Sequence, residues 1–240
     1  MSGKHLSAFF LGVSLFGLAV VVLSAFYQSQ IPENFSFRKP LIGSVFALFC
    51  IAGMVAVFSP NKCSRAISFR RKQRETRKDA RKSFDKSPGL RGHHPDCGNF
   101  SAHVIQVGGR TLCAGCTGLF IGGLMALVGA LAYFFAGFEI GQASGPVTLI
   151  GALGVIVGLF LPATIKMPLG SARLVVNAIF PFGSFLVLAG VDSLAQSISL
   201  DVFLMVLIFF WLFTKISLSQ WGHGQVCRLC KVSGCVLRGF

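Results

Sequence analysis

The sequence predicts an all-α, polytopic membrane protein of about six transmembrane helices with both termini cytoplasmic. Three observations carry that prediction: apolar runs of membrane-spanning length, a shortage of charge, and a lopsided placement of the charge that remains. Apolar residues make up 53% of the 240 and charged residues 12%, about half the charged share of a soluble domain. Six runs, near 6–27, 41–59, 114–136, 147–165, 174–192 and 200–216, match the roughly 20 helical residues that a hydrocarbon core requires. The fourth and sixth are on the short side. The first follows Lys4 and His5 and passes Ser24-Ala25, a passable cleavage context. From Leu6 to Phe26 it is too long for a signal-peptide h-region, so it reads as an uncleaved span.

Orientation follows from Lys and Arg. With the N-terminus inside, 12 of these residues lie between Lys62 and Arg91, and of all 22 only Arg38 and Lys39 fall outside. A bias that strong sets topology under the positive-inside rule and supports an even number of helices. It also accounts for the +14 formal charge with no specific nucleic-acid partner. The chain divides into a two-helix membrane hairpin (1–60), a basic cytoplasmic loop (61–92), a His/Cys segment with a four-helix membrane domain (93–216), and a Cys-rich cytoplasmic tail (217–240).

Taken in order, the first span carries Gly, Ala, Ser and large apolar side chains, a hydrophobic wall with small residues for close helix approach. A short polar loop follows, and the second span holds Cys50, which reads as a small hydrophobe. In the basic loop, 12 Lys/Arg stand against Glu75, Asp79 and Asp85. Residues 68–85 lack Gly and Pro and suit a polar helix. Ala66, Ile67, Phe69 and Phe84 are too few for a membrane-facing stripe. Such a loop attracts anionic lipid headgroups, by about 1 kcal/mol per basic residue near the surface.

The next stretch, 92–122, gathers His93, His94, Cys97, His103, Cys113 and Cys116 and runs directly into the third span. Cytosolic thiols stay reduced, so clustered cysteines there point to ligands or redox groups rather than structural disulfides. Cys113 and Cys116 form a C-x-x-C, whose two thiolates grip one ion from a single turn. With Cys97 and His103 they make a Cys₃His set for Zn²⁺ or iron, with His93 and His94 as alternative or supporting groups. Gly108-Gly109 marks a turn where the chain folds back. The C-x-x-C also falls at a helix N-terminus, where orphan N–H groups and the positive dipole end stabilise a thiolate. That suits metal ligation and nucleophilic thiol chemistry alike. Gly118 and Gly122 are spaced for close helix packing.

In the fourth span, Gly151, Gly154 and Gly158 read as packing positions. The fifth contains Pro181, which frees a backbone carbonyl, and Asn177, placed to hydrogen-bond a neighbouring helix. Asp192 ends that span at the outer interface, where a carboxylate is tolerated. The tail carries His223, Cys227, Cys230 and Cys235, a second Cys₃His set on the same face. Cys113/Cys116 and Cys227/Cys230 also fit one shared C-x-x-C…C-x-x-C site.

Cys97 followed by LCAGCTGLFIG resembles the signature of a family of small uncharacterised polytopic prokaryotic membrane proteins. In that family an upstream Cys-His pair precedes a C-x-R-C-T-G-x-x-x-G run opening a helix. AGVDSLAQ, with Asp192 and Gln196, is similar to the family's Asp-Gly…Gln turn at a helix end. Here Gly115 replaces the usual Arg, no His follows Cys97, and the tail cluster has no counterpart. The resemblance implies functional roles for Cys97, Cys113 and Cys116 and adds weight to Asp192 and Gln196.

The expected function is a membrane protein with a His/Cys metal site, zinc first, of structural or regulatory role and with room for a cytoplasmic protein partner. One alternative is a thiol-disulfide oxidoreductase built on the C-x-x-C pairs; quinone-coupled enzymes of that kind work on the outer face, which counts against it. A transporter is the other alternative. Against it stands the absence of ionisable residues from the span interiors as bounded above. Other catalysis lacks a motif: there is no G-x-S-x-G, P-loop or H-E-x-x-H.

Overall fold

The computed structural model describes residues 3–27, 37–58, 90–91, 94–95, 98–165 and 167–228. Six helices in it are long and apolar enough to cross a membrane. They are α1 (Gly3–Tyr27), α2 (Arg38–Phe58), α3 (Ala114–Ala130), α4 (Ser144–Thr164), α5 (Gly170–Ala195) and α6 (Ile198–Arg228). A π-helical turn, Leu131–Phe135, extends α3. Two small antiparallel pairs precede α3: β1 (Leu90–Arg91) with β2 (His94–Pro95), and β3 (Val104–Val107) with β4 (Arg110–Cys113). The chain is an all-α, multi-pass membrane protein.

The outward faces carry large apolar side chains that water would not tolerate in such number. Phe16, Leu48, Leu153 and Val206 are all more than 60% exposed. Helices that are apolar all round suit a lipid surrounding. In lipid the hydrophobic effect no longer draws helices together, so association rests on close packing of small residues. The sequence supplies them at the central helix. α5 packs along both α3 and α4, and a Cβ at Gly118 or Gly122 of α3 would strike the backbone carbonyls of Leu174 or Ala178. On the α4 side, Gly154 meets Gly183 backbone to backbone, with 3.2 Å left for a Cβ. These glycines do what their spacing predicted.

The helices outrun the apolar stretches at several ends. The fourth span covers Gly141–Thr164 and the sixth Ile198–Gly222, which removes the doubt that shortness raised. The fifth begins at Gly170 and ends at Ala195. The apolar stretches leave Arg38 outside the second span and put Asp192, Asp201 and Lys215 at the margins of the fifth and sixth; the helices take in all four, and each has a partner. α6 continues unbroken to Arg228, so the first half of the 217–240 tail is helix. α5 is likewise continuous through Pro181. Asn177 bonds within its own helix, not across to a neighbour: its Nδ2 donates to the Arg173 carbonyl at 2.6 Å.

Candidate functional site

The chain brings chemistry-bearing side chains together at two opposite ends of the bundle. At the end where α3 begins, Gly108 and Gly109 both have positive φ, 55° and 75°, the backbone of a type I′ hairpin turn. That turn folds β4 onto β3 in a register that pairs Val104 with Cys113. His103 therefore lies one residue from the strand partner of Cys113. The hairpin rests on the start of α5, where a Cβ at Gly170 would sit 2.5 Å from the Val104 carbonyl oxygen.

Cys113 is the N-cap of α3 and is extended there (φ −71°, ψ 119°), with no side-chain cap hydrogen bond. Its carbonyl accepts from Thr117 Oγ1 at 2.9 Å, which holds the first turn. Cys116 lies in that turn, and both thiols are half-buried. Among the described residues, Cys50, Cys113 and Cys116 form no disulfide. Arg173 of α5 reaches this corner. Its Nη1 lies 3.5 Å from His103 Nδ1 and its Nη2 donates to the Met167 carbonyl at 3.4 Å. The guanidinium is also within electrostatic range of Cys113, and the Phe100 ring packs 5.2 Å from the His103 ring.

The expected Cys₃His set includes Cys97, which lies outside the described residues. Among the described residues no three His, Cys, Asp or Glu side chains are grouped to hold a metal ion. His93, Cys97, Cys230, Cys235 and most of the basic loop lie outside the described residues. Only the backbone is described for His94, on β2, and for His223 and Cys227, on the last turns of α6.

The opposite end holds a second cluster, and it is buried outright. Arg38 opens α2, Asp192 lies in the last turn of α5, and Asp201 in the first turn of α6. Arg38 Nη1 lies 2.8 Å from Asp192 Oδ1 and 2.9 Å from Asp201 Oδ2. Tyr133, in the π-helical turn after α3, donates its hydroxyl to Asp192 Oδ2 at 2.7 Å. Both carboxylates are 0% exposed. Asp192 is thus covered by protein rather than open at the helix end, and Arg38 begins a helix instead of lying in the loop. A left-handed Gln196, φ 48°, ends α5 and turns the chain into α6. That tight turn brings the two acids onto one guanidinium. Above the cluster opens a cavity of about 550 Å³, lined by Arg38, Lys39, Tyr133, Glu139, Gln142 and Asp192 among others. Lys39 Nζ sits 4.8 Å from the centre of the Tyr133 ring.

A third buried ionisable group stands inside the bundle. Lys215 of α6 donates to the Gly158 carbonyl of α4 and lies 5.5 Å from the centre of the Phe180 ring of α5. Lys215 lies well inside the span Ile198–Gly222, so the span interiors are not free of ionisable side chains and their expected absence does not count against transport. Sequence reasoning passed over Arg38, Tyr133, Arg173 and Asp201. The one available signal was Asp192 in AGVDSLAQ, the stretch similar to the family's turn at a helix end. No protein-family model matches the chain, and neither a curated protein nor a solved structure shows a match to it.

Proposed function

We propose that this chain is a cell-membrane thiol protein whose Cys113/Cys116 pair exchanges with disulfides at the face carrying the hairpin. The observation that supports it is the setting of Cys113, at a helix N-terminus with no side-chain cap and within electrostatic range of the Arg173 guanidinium. Both features stabilise a thiolate, and a C-x-x-C supplies the second sulfur. In the step we envisage, Cys113 Sγ attacks a substrate disulfide and releases one thiol. Cys116 then attacks the mixed disulfide, releasing the second thiol and leaving a Cys113–Cys116 disulfide. The positive-inside rule puts this face in the cytoplasm, with both termini and the basic loop beside anionic headgroups. A small or protein disulfide of that compartment suits the site better than a membrane quinone.

The second reading is metal ligation, zinc first. It is favoured by the hairpin register that sets His103 alongside Cys113. Cys97 and the tail cysteines are its further candidate ligands, and the resemblance to the membrane family adds weight to Cys97, Cys113 and Cys116. A cytoplasmic protein partner fits a structural or regulatory site of this kind.

One experiment separates the two. Full-length protein is equilibrated against glutathione buffers of stepped redox poise, thiols are blocked, and the 111–122 segment is read by mass spectrometry alongside bound zinc. The thiol reading expects Cys113 and Cys116 to be lost and regained together as a two-electron couple. Thiols that stay reduced at every poise and carry equimolar zinc, released in Cys113→Ser/Cys116→Ser, would establish the metal reading in its place. A membrane-impermeant maleimide that reached Cys116 from outside the cell would overturn the orientation.

A further inference from the structure

The hairpin end gathers positive charge that no acidic side chain among the described residues meets. α3 and α5 both begin there, neither N-cap makes a side-chain cap hydrogen bond, and neither first turn holds an Asp or Glu. The two starts lie side by side: a Cβ at Gly115 would sit 3.7 Å from Asn177 Nδ2 and 3.9 Å from Cys113 Sγ. Each helix N-terminus carries a partial positive charge. Arg173, at the end of the first turn of α5, adds a full one where the helix dipole favours a cation least.

Arg173 is also poorly satisfied. A guanidinium has five N–H donors. Here Nη2 reaches the Met167 carbonyl at 3.4 Å and Nη1 lies 3.5 Å from His103 Nδ1, both at the long limit of a hydrogen bond, and the buried Nε has no partner. The planar fork matches a carboxylate best, through two parallel hydrogen bonds. Among the described residues the carboxylate ion pairs are those of Arg38, and Arg173 makes none. A Cys113 thiolate offsets the guanidinium only until it attacks, when its charge passes to the leaving sulfur. An anionic group carried by the substrate stays in place throughout.

We propose that Arg173 selects the substrate of the Cys113/Cys116 pair, and that this substrate is a small disulfide bearing carboxylates; the proposal rests on the pair exchanging with disulfides. One carboxylate docks on the Arg173 guanidinium, beside the starts of α3 and α5, and holds the disulfide within reach of Cys113 Sγ. Cys113 enters as a thiolate and bonds to one substrate sulfur, and the substrate S–S bond breaks to release one carboxylate-bearing thiolate. Cys116 then gives its proton to solvent and displaces the second, so the substrate takes up the two electrons released by forming the Cys113–Cys116 bond. A neutral disulfide undergoes the same exchange without the docking.

The test uses full-length reduced protein in micelles of a neutral detergent at constant ionic strength, exposed to dithiodipropionate or to hydroxyethyl disulfide. The two share an ethylene spacer and end in carboxylates and hydroxyls respectively. Loss of both thiols from the 111–122 segment is timed by maleimide blocking and mass spectrometry. Dithiodipropionate is expected to oxidise the pair about tenfold faster, the size of one charged hydrogen bond. Arg173→Gln should lose most of that preference, and Arg173→Lys, which keeps the charge without the fork, should retain part of it. Arg110→Gln removes an exposed cation of β4 and should keep the preference, because a preference due to the general positive charge of the protein would fall alike in both Gln variants. Equal rates for the two disulfides in the parent, or a preference that survives Arg173→Gln or falls as far in Arg110→Gln, would overturn the proposal. Oxidation by hydroxyethyl disulfide would still uphold the thiol reading in each of those cases. A pair that neither disulfide oxidises would end both.

Discussion

The two ends of the bundle solve opposite problems. At the hairpin end, reactive groups lie close together in sequence and stay half-buried, where an incoming molecule can reach them. At the far end, groups drawn from distant parts of the chain are buried completely, and Arg38 bonds Asp201 across 163 positions. The first end is held by close backbone approach at Gly118, Gly122 and Gly170. The second is held by charge. The comparison teaches that in lipid a bundle is tied together by whichever interaction the hydrocarbon leaves strong: glycine contacts where helices touch directly, and ion pairs where helix ends meet.

The largest effect should come from breaking the ionic end. Arg38→Met leaves two carboxylates buried together with no cation, and removal of one partner of a buried pair costs about 3–5 kcal/mol. Unfolding of the purified variant in detergent, followed by denaturant titration, should show a loss of that size. Combining it with Asp192→Asn and Asp201→Asn removes the stranded charge and should restore at least half of the loss. Cys113→Ser/Cys116→Ser, at the other end, should stay within about 1 kcal/mol of the parent. Equal losses at the two ends would erase the distinction drawn between them.

The glycine contacts come next. Gly118→Val forces a side chain against the Leu174 carbonyl and the Asn177 Cβ, with rigid backbone on both sides. Overpacking of this kind costs about 3 kcal/mol at its upper end. Because α3 carries Cys113 and Cys116, the same variant should also change maleimide labelling rates at both thiols. Stability lost with labelling unchanged would mean that the α3–α5 contact does not position the cysteines.

How much of this was legible beforehand differs between the ends for a physical reason. Periodicity, hydropathy and glycine spacing are local signals, so six helices, the Gly108-Gly109 turn and the packing faces of α3 and α4 could be read from neighbouring residues. The C-x-x-C was legible in the same way. What sequence does not carry is the direction of a side chain across space. His103 is near Cys113 in register but turns to Arg173, 70 positions away. Arg38, Asp192 and Asp201 each looked like the ordinary polar end of a span, because the pairing that makes them interior groups exists only once three helices meet.

Tyr133 tests how far the buried cluster relies on neutral hydrogen bonds. Tyr133→Phe keeps the ring against Phe134, 4.8 Å away, and removes only the hydroxyl that donates to Asp192 Oδ2. A buried charged acceptor that loses its donor costs about 2 kcal/mol. The loss should be smaller than for Arg38→Met and larger than for the cysteine pair. If Tyr133→Phe proved neutral, Asp192 would have to draw its second hydrogen bond from the cavity, and the cavity would then be wet at that point.

The smallest effect is expected between the two ends, at Lys215. The residue is 5% exposed, and its ammonium is met by one carbonyl and the face of Phe180 rather than by a carboxylate. Taking an ammonium out of water is costly, and a carbonyl with a ring contact returns only part of that. Lys215→Met fills nearly the same volume without the charge but strands the Gly158 carbonyl, because the helical donor position for that oxygen is Pro162, which has no N–H. The gain from removing a buried charge is offset by about 1–3 kcal/mol for the stranded carbonyl, so the variant should unfold within about 1 kcal/mol of the parent. A loss as large as that of Arg38→Met would place Lys215 with the ionic end, as part of one charge-bonded column running down α6. A neutral result would mean that the relief of the buried charge and the cost of the stranded carbonyl cancel, which fits a cation held to satisfy the carbonyl that Pro162 leaves without a backbone donor.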